Sequence, residues 1–123
     1  MPDSRHLLIA VVDDDESQCR SLARLLRASG MDAATYPSAE AFLADPLHSG
    51  YDGLILDVQL GGISGIELQR HLVDSGETTP IIFITAHDEI EGRAKALAAG
   101  CRGYFRKTDS GADVIDAIRR AAA

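Results

Sequence analysis

Six polar residues stand at or just beyond the ends of strand-like stretches, and their chemical types suit phosphoryl transfer assisted by a divalent cation. They are Asp13, Asp14, Asp15, Asp57, Thr85 and Lys107. Apolar stretches that end at polar residues are typical of buried parallel strands. The carboxyl ends of parallel strands meet at one edge of a sheet, where ligands bind in such folds. We therefore expect these side chains to converge there.

The chemistry open to this group follows from the charges of its members. Two carboxylates about 4 Å apart repel by roughly 4 kcal/mol at an effective dielectric constant of about 20. A hard cation removes that cost, and Mg²⁺ prefers carboxylate oxygens and water as ligands. One carboxylate can then act as a nucleophile on phosphorus, while the cation, an ammonium group and a hydroxyl neutralise the transferring oxygens.

Strand-like and helix-like segments alternate five times along the chain. Strands are expected at 7–12, 32–36, 54–56, 81–84 and 102–106. Helices are expected at 16–29, 37–44, 64–76 and 88–100, and from 109 or 110 onwards. Regular alternation predicts right-handed crossovers and a parallel sheet with helices on both faces. Five such units fit a flavodoxin-like (βα)5 three-layer sandwich with strand order 2-1-3-4-5.

Capping signals and apolar faces locate the helix ends and the core. Ser64 with Glu67, and Asp88 with Glu91, have the spacing of a capping box. Cys19 shares an apolar helical face with leucines, which predicts a core position rather than a metal ligand. Glycines are expected to end three helices, at Gly30, Gly76 and Gly100.

Length, composition and charge limit the classes of function. The 123 residues predict one compact domain over 1–123, and 46% hydrophobic residues suffice for a core. A net charge of -7 disfavours direct binding of nucleic acid or anionic membranes. The apolar run 7–12 is too short for a signal peptide, and no stretch is long enough to cross a membrane. Cys19 and Cys101 lack metal-ligand spacing, so free thiols in a cytoplasmic protein are expected.

Five separated motifs, in this order, resemble the receiver domains of two-component response regulators across essentially the whole chain. The motifs are Val11-Val12-Asp13-Asp14, Leu54-Ile55-Leu56-Asp57, Ser64-Gly65-Ile66-Glu67-Leu68, Phe83-Ile84-Thr85-Ala86 and Gly103-Tyr104-Phe105-Arg106-Lys107. The resemblance implies a phosphorelay switch that catalyses its own phosphorylation and slow dephosphorylation, rather than an enzyme with a separate substrate. It implies a sensor histidine kinase or histidine phosphotransfer protein and a downstream protein as partners, and it leaves a homodimer open.

The resemblance also assigns roles to individual residues. Asp57 would accept a phosphoryl group from the phosphohistidine of a partner. Asp13 and Asp14, with Asp57 and the backbone carbonyl of Gln59, would hold Mg²⁺ or Mn²⁺. A competing interpretation makes Asp13 and Asp14 an N-cap and a first-turn acid of the first helix, where their charge also suits the helix dipole.

Three further residues would act around the phosphoryl group. The resemblance implies that Thr85 hydrogen-bonds the group after transfer and that Lys107 pairs with its charge. Tyr104 would be the aromatic residue whose rotamer reports the switch, although tyrosine in a strand is usually a packing residue. His87 stands two residues after Thr85, where related receivers tune hydrolysis of the acyl phosphate, and a solvated loop residue is the other interpretation.

The sequence departs from the family pattern at two loops. Leu60-Gly61-Gly62 stands where Met-Pro-Gly is usual, and the double glycine predicts a looser loop. Thr108 replaces the proline that usually follows the lysine, so the Lys107–Thr108 peptide is expected to be trans. Side chains within 108–110 are then expected to cap the last helix. The stretch 107–110 resembles the receivers of LuxR-type regulators.

Three other functions share part of this pattern. A haloacid-dehalogenase-type phosphatase would use the spacing Asp13-x-Asp15, but it needs a later acidic pair and leaves Asp57 without a role. A flavodoxin-type flavin carrier needs a hydroxyl-rich phosphate loop after the first strand, where this sequence is acidic. A degenerate receiver used only as a binding module would lack an acceptor or a metal-binding acid, and both are present.

Overall fold

Strands and helices alternate along the chain in the computed structural model, which describes residues 6–86 and 89–123. The strands are β1 (Leu8–Val12), β2 (Asp32–Tyr36), β3 (Gly53–Leu56), β4 (Ile81–Thr85) and β5 (Gly103–Arg106). The helices are α1 (Glu16–Ala28), α2 (Ala39–Ala44), α3 (Gly65–Asp74), α4 (Ile90–Ala98) and α5 (Gly111–Ala122), with a 3-10 turn at His48–Gly50. These bounds lie close to those that the sequence pattern predicts.

The five strands form one parallel sheet in the order β2-β1-β3-β4-β5. Val12 lies beside Leu56, and Leu56 lies beside Phe83, so the strands end near the same line. The sheet order and the helices on both faces confirm the predicted flavodoxin-like sandwich. No helix in the described ranges has the length and apolar character needed to cross a membrane.

Two apolar layers, one on each face of the sheet, form the core. Successive strand residues alternate between the layers, because side chains of a strand point to opposite faces. The layer under α1 and α5 contains Ile9, Val11, Cys19, Leu22, Leu26, Ile55, Ile82, Ile84, Val114, Ile115 and Ile118. The layer under α2, α3 and α4 contains Ala10, Val12, Phe42, Leu54, Leu56, Leu68, Leu72, Phe83, Ala96 and Tyr104. Both faces are covered, which explains why the central strands are apolar throughout.

Most of the predicted helix ends are confirmed. Gly30 and Gly76 follow α1 and α3 with positive φ angles of 85° and 80°, a conformation that favours glycine. Ser64 and Glu67 form the predicted capping box of α3, in which each side chain accepts a hydrogen bond from the other residue's backbone N–H. Burial of Cys19 confirms that it is a core residue.

Helix α4 starts slightly later than predicted, whereas α5 starts after one of the two predicted cap residues but without the predicted side-chain bond among the described residues. Helix α4 begins after Glu89, whose side chain makes no capping hydrogen bond in the described part of the chain. Asp88, the predicted cap, lies outside the described residues. Ser110 occupies the N-cap position of α5, but its side chain likewise makes no capping bond there. The Asp109 carboxylate instead accepts a hydrogen bond from Arg106 N at 2.8 Å, so it closes the turn after β5 rather than capping the helix.

Candidate functional site

The sheet brings four of the predicted site residues together at its carboxyl edge. Asp13 follows β1, Asp57 follows β3 and Lys107 follows β5, each directly, and Thr85 is the last residue of β4. Backbone hydrogen bonds hold these positions to neighbouring strands, from Asp57 N to Val12 O at 3.0 Å and from Lys107 N to Thr85 O at 3.0 Å. The geometry therefore comes from the sheet register rather than from flexible loops.

An open cavity of about 370 Å³ lies at this edge. It is lined by Asp14, Asp15, Asp57, Gln59, Leu60, Gly61, Ala86 and Lys107. Asp57 is 6% exposed and Asp13 is 3% exposed, whereas Asp14 is exposed at the rim. One nearly buried carboxylate thus faces a cavity large enough for a small anionic group.

Lys107 bridges the two buried carboxylates. Its Nζ lies 3.1 Å from Asp57 Oδ2 and 3.2 Å from Asp13 Oδ2. One ammonium group cannot neutralise two buried carboxylates and an exposed third. The site therefore keeps net negative charge, which favours binding of a further cation.

The ionisation of Asp13 and Lys107 reflects this shared burial. Burial, aided by the Asp57 charge, raises the pKa of Asp13 to about 6, although the Asp15 N–H and Lys107 oppose the rise. For Lys107, burial lowers the pKa, but the hydrogen bond and charge of Asp57, followed by those of Asp13, outweigh it and raise the pKa overall. Lys107 therefore remains charged at neutral pH, and the Asp13 carboxylate is costly to ionise.

Helix α1 is capped by Asp15, which decides between two interpretations of the acidic run. Asp15 Oδ1 accepts hydrogen bonds from Ser17 N at 3.0 Å and Gln18 N at 3.2 Å. Asp13 lies two residues earlier, before the helix, where its Oδ1 accepts a hydrogen bond from Asp15 N at 2.9 Å. Because Asp15 occupies the cap, Asp13 and Asp14 are not needed there, and their carboxylates face the site.

The donor set fits a hard divalent cation. One carboxylate oxygen from each of Asp13, Asp14 and Asp57 lies within 4.8 Å of the others, in the only such group found within 6–86 and 89–123. Oxygen ligands of this kind suit Mg²⁺. Gln59 is exposed in the next loop, and its N–H donates to Asp57 Oδ1 at 3.2 Å. The use of its carbonyl as a further ligand remains a prediction.

The remaining predicted residues lie around this group. Thr85 is fully buried at the end of β4. Tyr104 is 8% exposed and packs against Phe83, with the Arg93 guanidinium 5.3 Å from the centre of its ring. These contacts place Tyr104 in the core layer beneath α4. His87 lies outside the described residues.

A glycine that the sequence argument used only as part of a motif controls how closely α3 approaches the acceptor. Gly65 N donates to Val58 O at 2.9 Å, and a Cβ at Gly65 would overlap the Asp57 carbonyl oxygen. The obstacle is backbone, which cannot swing aside as a side chain can. Gly65 is thus required for the path of the chain from Asp57 into α3.

Gly65→Ala is expected to lower the free energy of unfolding by about 1–3 kcal/mol, because overpacking must displace the Asp57–Val58 backbone. Thermal unfolding measures the loss. Gly92→Ala is the matched control, since Gly92 lies in α4 with nothing near its Cβ position. The control should be neutral or stabilising, as alanine is the better helix former. Equal stability of Gly65→Ala and the unmodified protein would contradict this account of the loop.

Comparisons with known proteins agree with this geometry. Residues 9–119 match the family described as the response regulator receiver domain. Response regulator protein TmoT of Ectopseudomonas mendocina is 40% identical over 114 residues, which are 93% of this chain and 52% of TmoT. The chain thus spans about half the length of the curated relatives it matches.

Two solved structures are similar over nearly the whole chain. The crystal structure titled FixJ-N has a TM-score of 0.85 and 33% identity, covering 99% of this chain and 95% of its own. A response regulator receiver protein from Burkholderia phymatum has a TM-score of 0.79 and 45% identity, covering 94% of both chains. Sequence and fold therefore point to one family.

Proposed function

Because this chain belongs to the response regulator receiver domain family, we propose that residues 1–123 act as a phosphorylation switch that accepts a phosphoryl group on Asp57. The observation that carries the proposal is the Asp57 carboxylate, nearly buried, facing an open cavity and held 3.1 Å from the Lys107 ammonium. A carboxylate at this position can attack an anionic donor whose charge the lysine partly neutralises.

The proposed step transfers phosphorus from nitrogen to oxygen. An Asp57 carboxylate oxygen attacks the phosphorus of a partner's phosphohistidine, the P–O bond forms and the P–N bond breaks. The leaving imidazole takes a proton, which restores the neutral histidine. Lys107 balances charge on the transferring group, and the Thr85 hydroxyl donates a hydrogen bond to it after transfer. The phosphorylated residue then loses its phosphoryl group slowly to water, so the chain is a switch rather than an enzyme with a separate substrate.

Mg²⁺, or Mn²⁺ in its place, is the proposed cofactor. Asp13, Asp14, Asp57 and the Gln59 carbonyl would hold it, and the bound cation would neutralise phosphoryl oxygens during transfer. The three carboxylates that lie within 4.8 Å of one another support this assignment.

The proposed partners are a sensor histidine kinase or histidine phosphotransfer protein upstream and a protein partner downstream, in the cytoplasm. The net charge of -7 argues against direct contact with nucleic acid. Homodimerisation through the switched face is compatible with the proposal. A haloacid-dehalogenase-type phosphatase gains no support, because residues 9–119, which include Asp57, match the receiver domain family.

Acetyl phosphate with Mg²⁺ tests the proposed function directly. Mass spectrometry should find one added phosphoryl group, removed by base and by hydroxylamine, as expected for an acyl phosphate. Chelation of Mg²⁺ should suppress the addition. An unchanged mass at saturating donor and Mg²⁺ would refute the proposal.

Phosphorylation is expected to shift an existing equilibrium of the face formed by α4, β5 and α5. Lys107 and Thr85 link this face to the site through the hydrogen bond at the ends of β4 and β5. Ile90 is 90% exposed and Leu97 is 50% exposed on α4, so a shift of this helix changes the apolar surface that a partner would contact.

Amide spectra with and without beryllofluoride, a phosphoryl mimic, measure this shift. Chemical-shift changes should extend through α4 and β5, with Tyr104 among the affected residues. The Asp57→Asn variant under the same conditions is the control and should remain unchanged. Changes confined to residues 13–15 and 57–62 would count against a switched partner surface.

A further inference from the structure

The loop that connects β3 to α3 forms one wall of the acidic cavity. Gln59, Leu60 and Gly61 line the cavity directly. Leu60 is 8% exposed and packs in the core layer under α2, so it fixes the loop at one point. Gly61 and Gly62 follow, and two successive glycines leave the backbone unusually free. A second point of attachment is needed if this wall is to keep one shape.

Glu40 of α2 supplies that second attachment. Its Oε2 accepts a hydrogen bond from Ile63 N at 3.1 Å. The carboxylate also lies against the Gly62 backbone, because a Cβ at Gly62 would overlap Glu40 Oε2. Gly62 has a φ of 87°, which a side chain would strain. The Glu40 carboxylate therefore contacts two successive residues of the loop, although 23 positions separate Glu40 from Ile63.

The helix that carries Glu40 is itself well anchored. Ser38 Oγ accepts from Ala41 N at 3.0 Å and caps α2. Ala39 and Phe42 are fully buried on either side of Glu40. The backbone that carries Glu40 is thus already fixed. Only the Glu40 side chain has to become ordered when it binds the loop.

We propose that Glu40 is a positioning residue for the cation site: it holds the 60–63 loop and thereby keeps Gln59, whose carbonyl is the proposed further ligand, beside Asp57, to which its N–H donates. This inference rests on the proposed function, because Gln59 matters only if a divalent cation binds there. Glu40 need not touch the cation. It acts through Ile63 and Gly62, which restrict the glycine pair that follows Gln59 and Leu60.

Two substitutions separate the hydrogen bond from the charge. Glu40→Ala removes both, whereas Glu40→Gln keeps an acceptor oxygen at the same reach and removes only the charge. Asp74→Ala is the control for loss of one exposed acid, since Asp74 ends α3 at the far end from the site. One hydrogen bond of ordinary strength, about 1 kcal/mol, corresponds to about a fivefold change in an equilibrium constant, and the glutamine amide oxygen can still accept it.

Two measurements test the proposal. In metal-free protein, water exchange of the Ile63 amide by NMR should be about fivefold faster in Glu40→Ala and near the unmodified rate in Glu40→Gln and Asp74→Ala. In a Mg²⁺ titration followed by amide shifts, Glu40→Ala should raise Kd about fivefold, with Glu40→Gln close to the unmodified protein.

Equal behaviour of Glu40→Gln and Glu40→Ala would overturn the proposal, because it would assign the effect to charge alone. Unchanged Ile63 exchange in Glu40→Ala would overturn it as well. Failure of the unmodified protein to bind Mg²⁺ would instead refute the proposed function. In that case the exchange rates would still decide whether Glu40 holds the loop.

Discussion

Replacing Asp57 by asparagine is expected to abolish labelling by acetyl phosphate in the presence of Mg²⁺, at least about a thousandfold in rate. An amide oxygen is a very poor nucleophile compared with a carboxylate. No other carboxylate among the described residues that line the cavity is both nearly buried, as Asp57 is, and open to a donor in the cavity. The Asp13 carboxylate accepts a hydrogen bond from Asp15 N and forms an ion pair with Lys107. Asp14 is exposed at the rim. The loss should therefore be nearly complete.

Borohydride reduction locates the acceptor independently of the variant. An aspartyl phosphate is reduced to homoserine, so peptide sequencing of labelled, unmodified protein should find homoserine at position 57. Asp74→Asn, which removes an exposed carboxylate at the far end of α3, should be labelled at the unmodified rate. Homoserine at position 13 or 14, or full labelling of Asp57→Asn, would move the acceptor to another residue.

The sequence predicts the sheet and the strand-end cluster because both depend on local patterns. Buried strands of a parallel sheet are apolar throughout, and their polar ends mark the sheet edge where ligands bind. Asp13, Asp57 and Lys107 could be brought together on that argument alone. The trans peptide at Lys107–Thr108 is confirmed as well, since no peptide bond among the described residues is cis. The trans form depends only on the local absence of proline at position 108, so the sequence alone predicts it.

Features that depend on side-chain competition or distant contacts could not be predicted in the same way. Asp109 and Ser110 have similar capping chemistry, and the path of the turn decides that Asp109 bonds Arg106 N while Ser110 takes the cap position without a side-chain bond. Cys19 was predicted as core, yet its Sγ also donates to Asp13 O at 3.2 Å. Burial raises the pKa of that thiol to about 11, so it stays protonated as the donor. The contact between Glu40 and Ile63 has no signal in one sequence.

Asp13→Asn is expected to stabilise the metal-free protein at neutral pH and to remove most of its response to Mg²⁺. The folded-state pKa of Asp13 is about 6, against an ordinary value of 3.8. Above pH 6 the folded protein must hold a carboxylate that burial disfavours, whereas the unfolded chain ionises it freely. The difference between the two pKa values corresponds to about 3 kcal/mol of lost folding stability at pH 7. Because the surroundings relax only partly around asparagine, we expect Asp13→Asn to raise the free energy of unfolding by about 1–3 kcal/mol.

The pH dependence of this gain has a definite direction. As pH falls through 6, the folded unmodified protein takes up a proton at Asp13 that the unfolded chain does not take up until about pH 4. The Asp13 contribution to the free energy of unfolding of the metal-free, unmodified protein therefore increases as pH falls from about 6 to about 4. The stability difference between Asp13→Asn and the unmodified protein should accordingly be largest above pH 6 and vanish near pH 4.

Mg²⁺ should narrow the difference in stability between the two proteins at neutral pH. A cation that binds only the folded state stabilises it by about 2.7 kcal/mol at a hundred times Kd, so millimolar Mg²⁺ should raise the Tm of the unmodified protein. Asp13→Asn lacks one charged ligand and should show little of that rise. Melting curves with Mg²⁺, with chelator, and with Asp74→Asn as the charge control measure all three effects. If millimolar Mg²⁺ does not change the melting temperature of the unmodified protein, the proposed metal site is wrong. If metal-free Asp13→Asn is less stable than the unmodified protein at pH 7, the ion pair with Lys107 outweighs the cost of burying the Asp13 carboxylate.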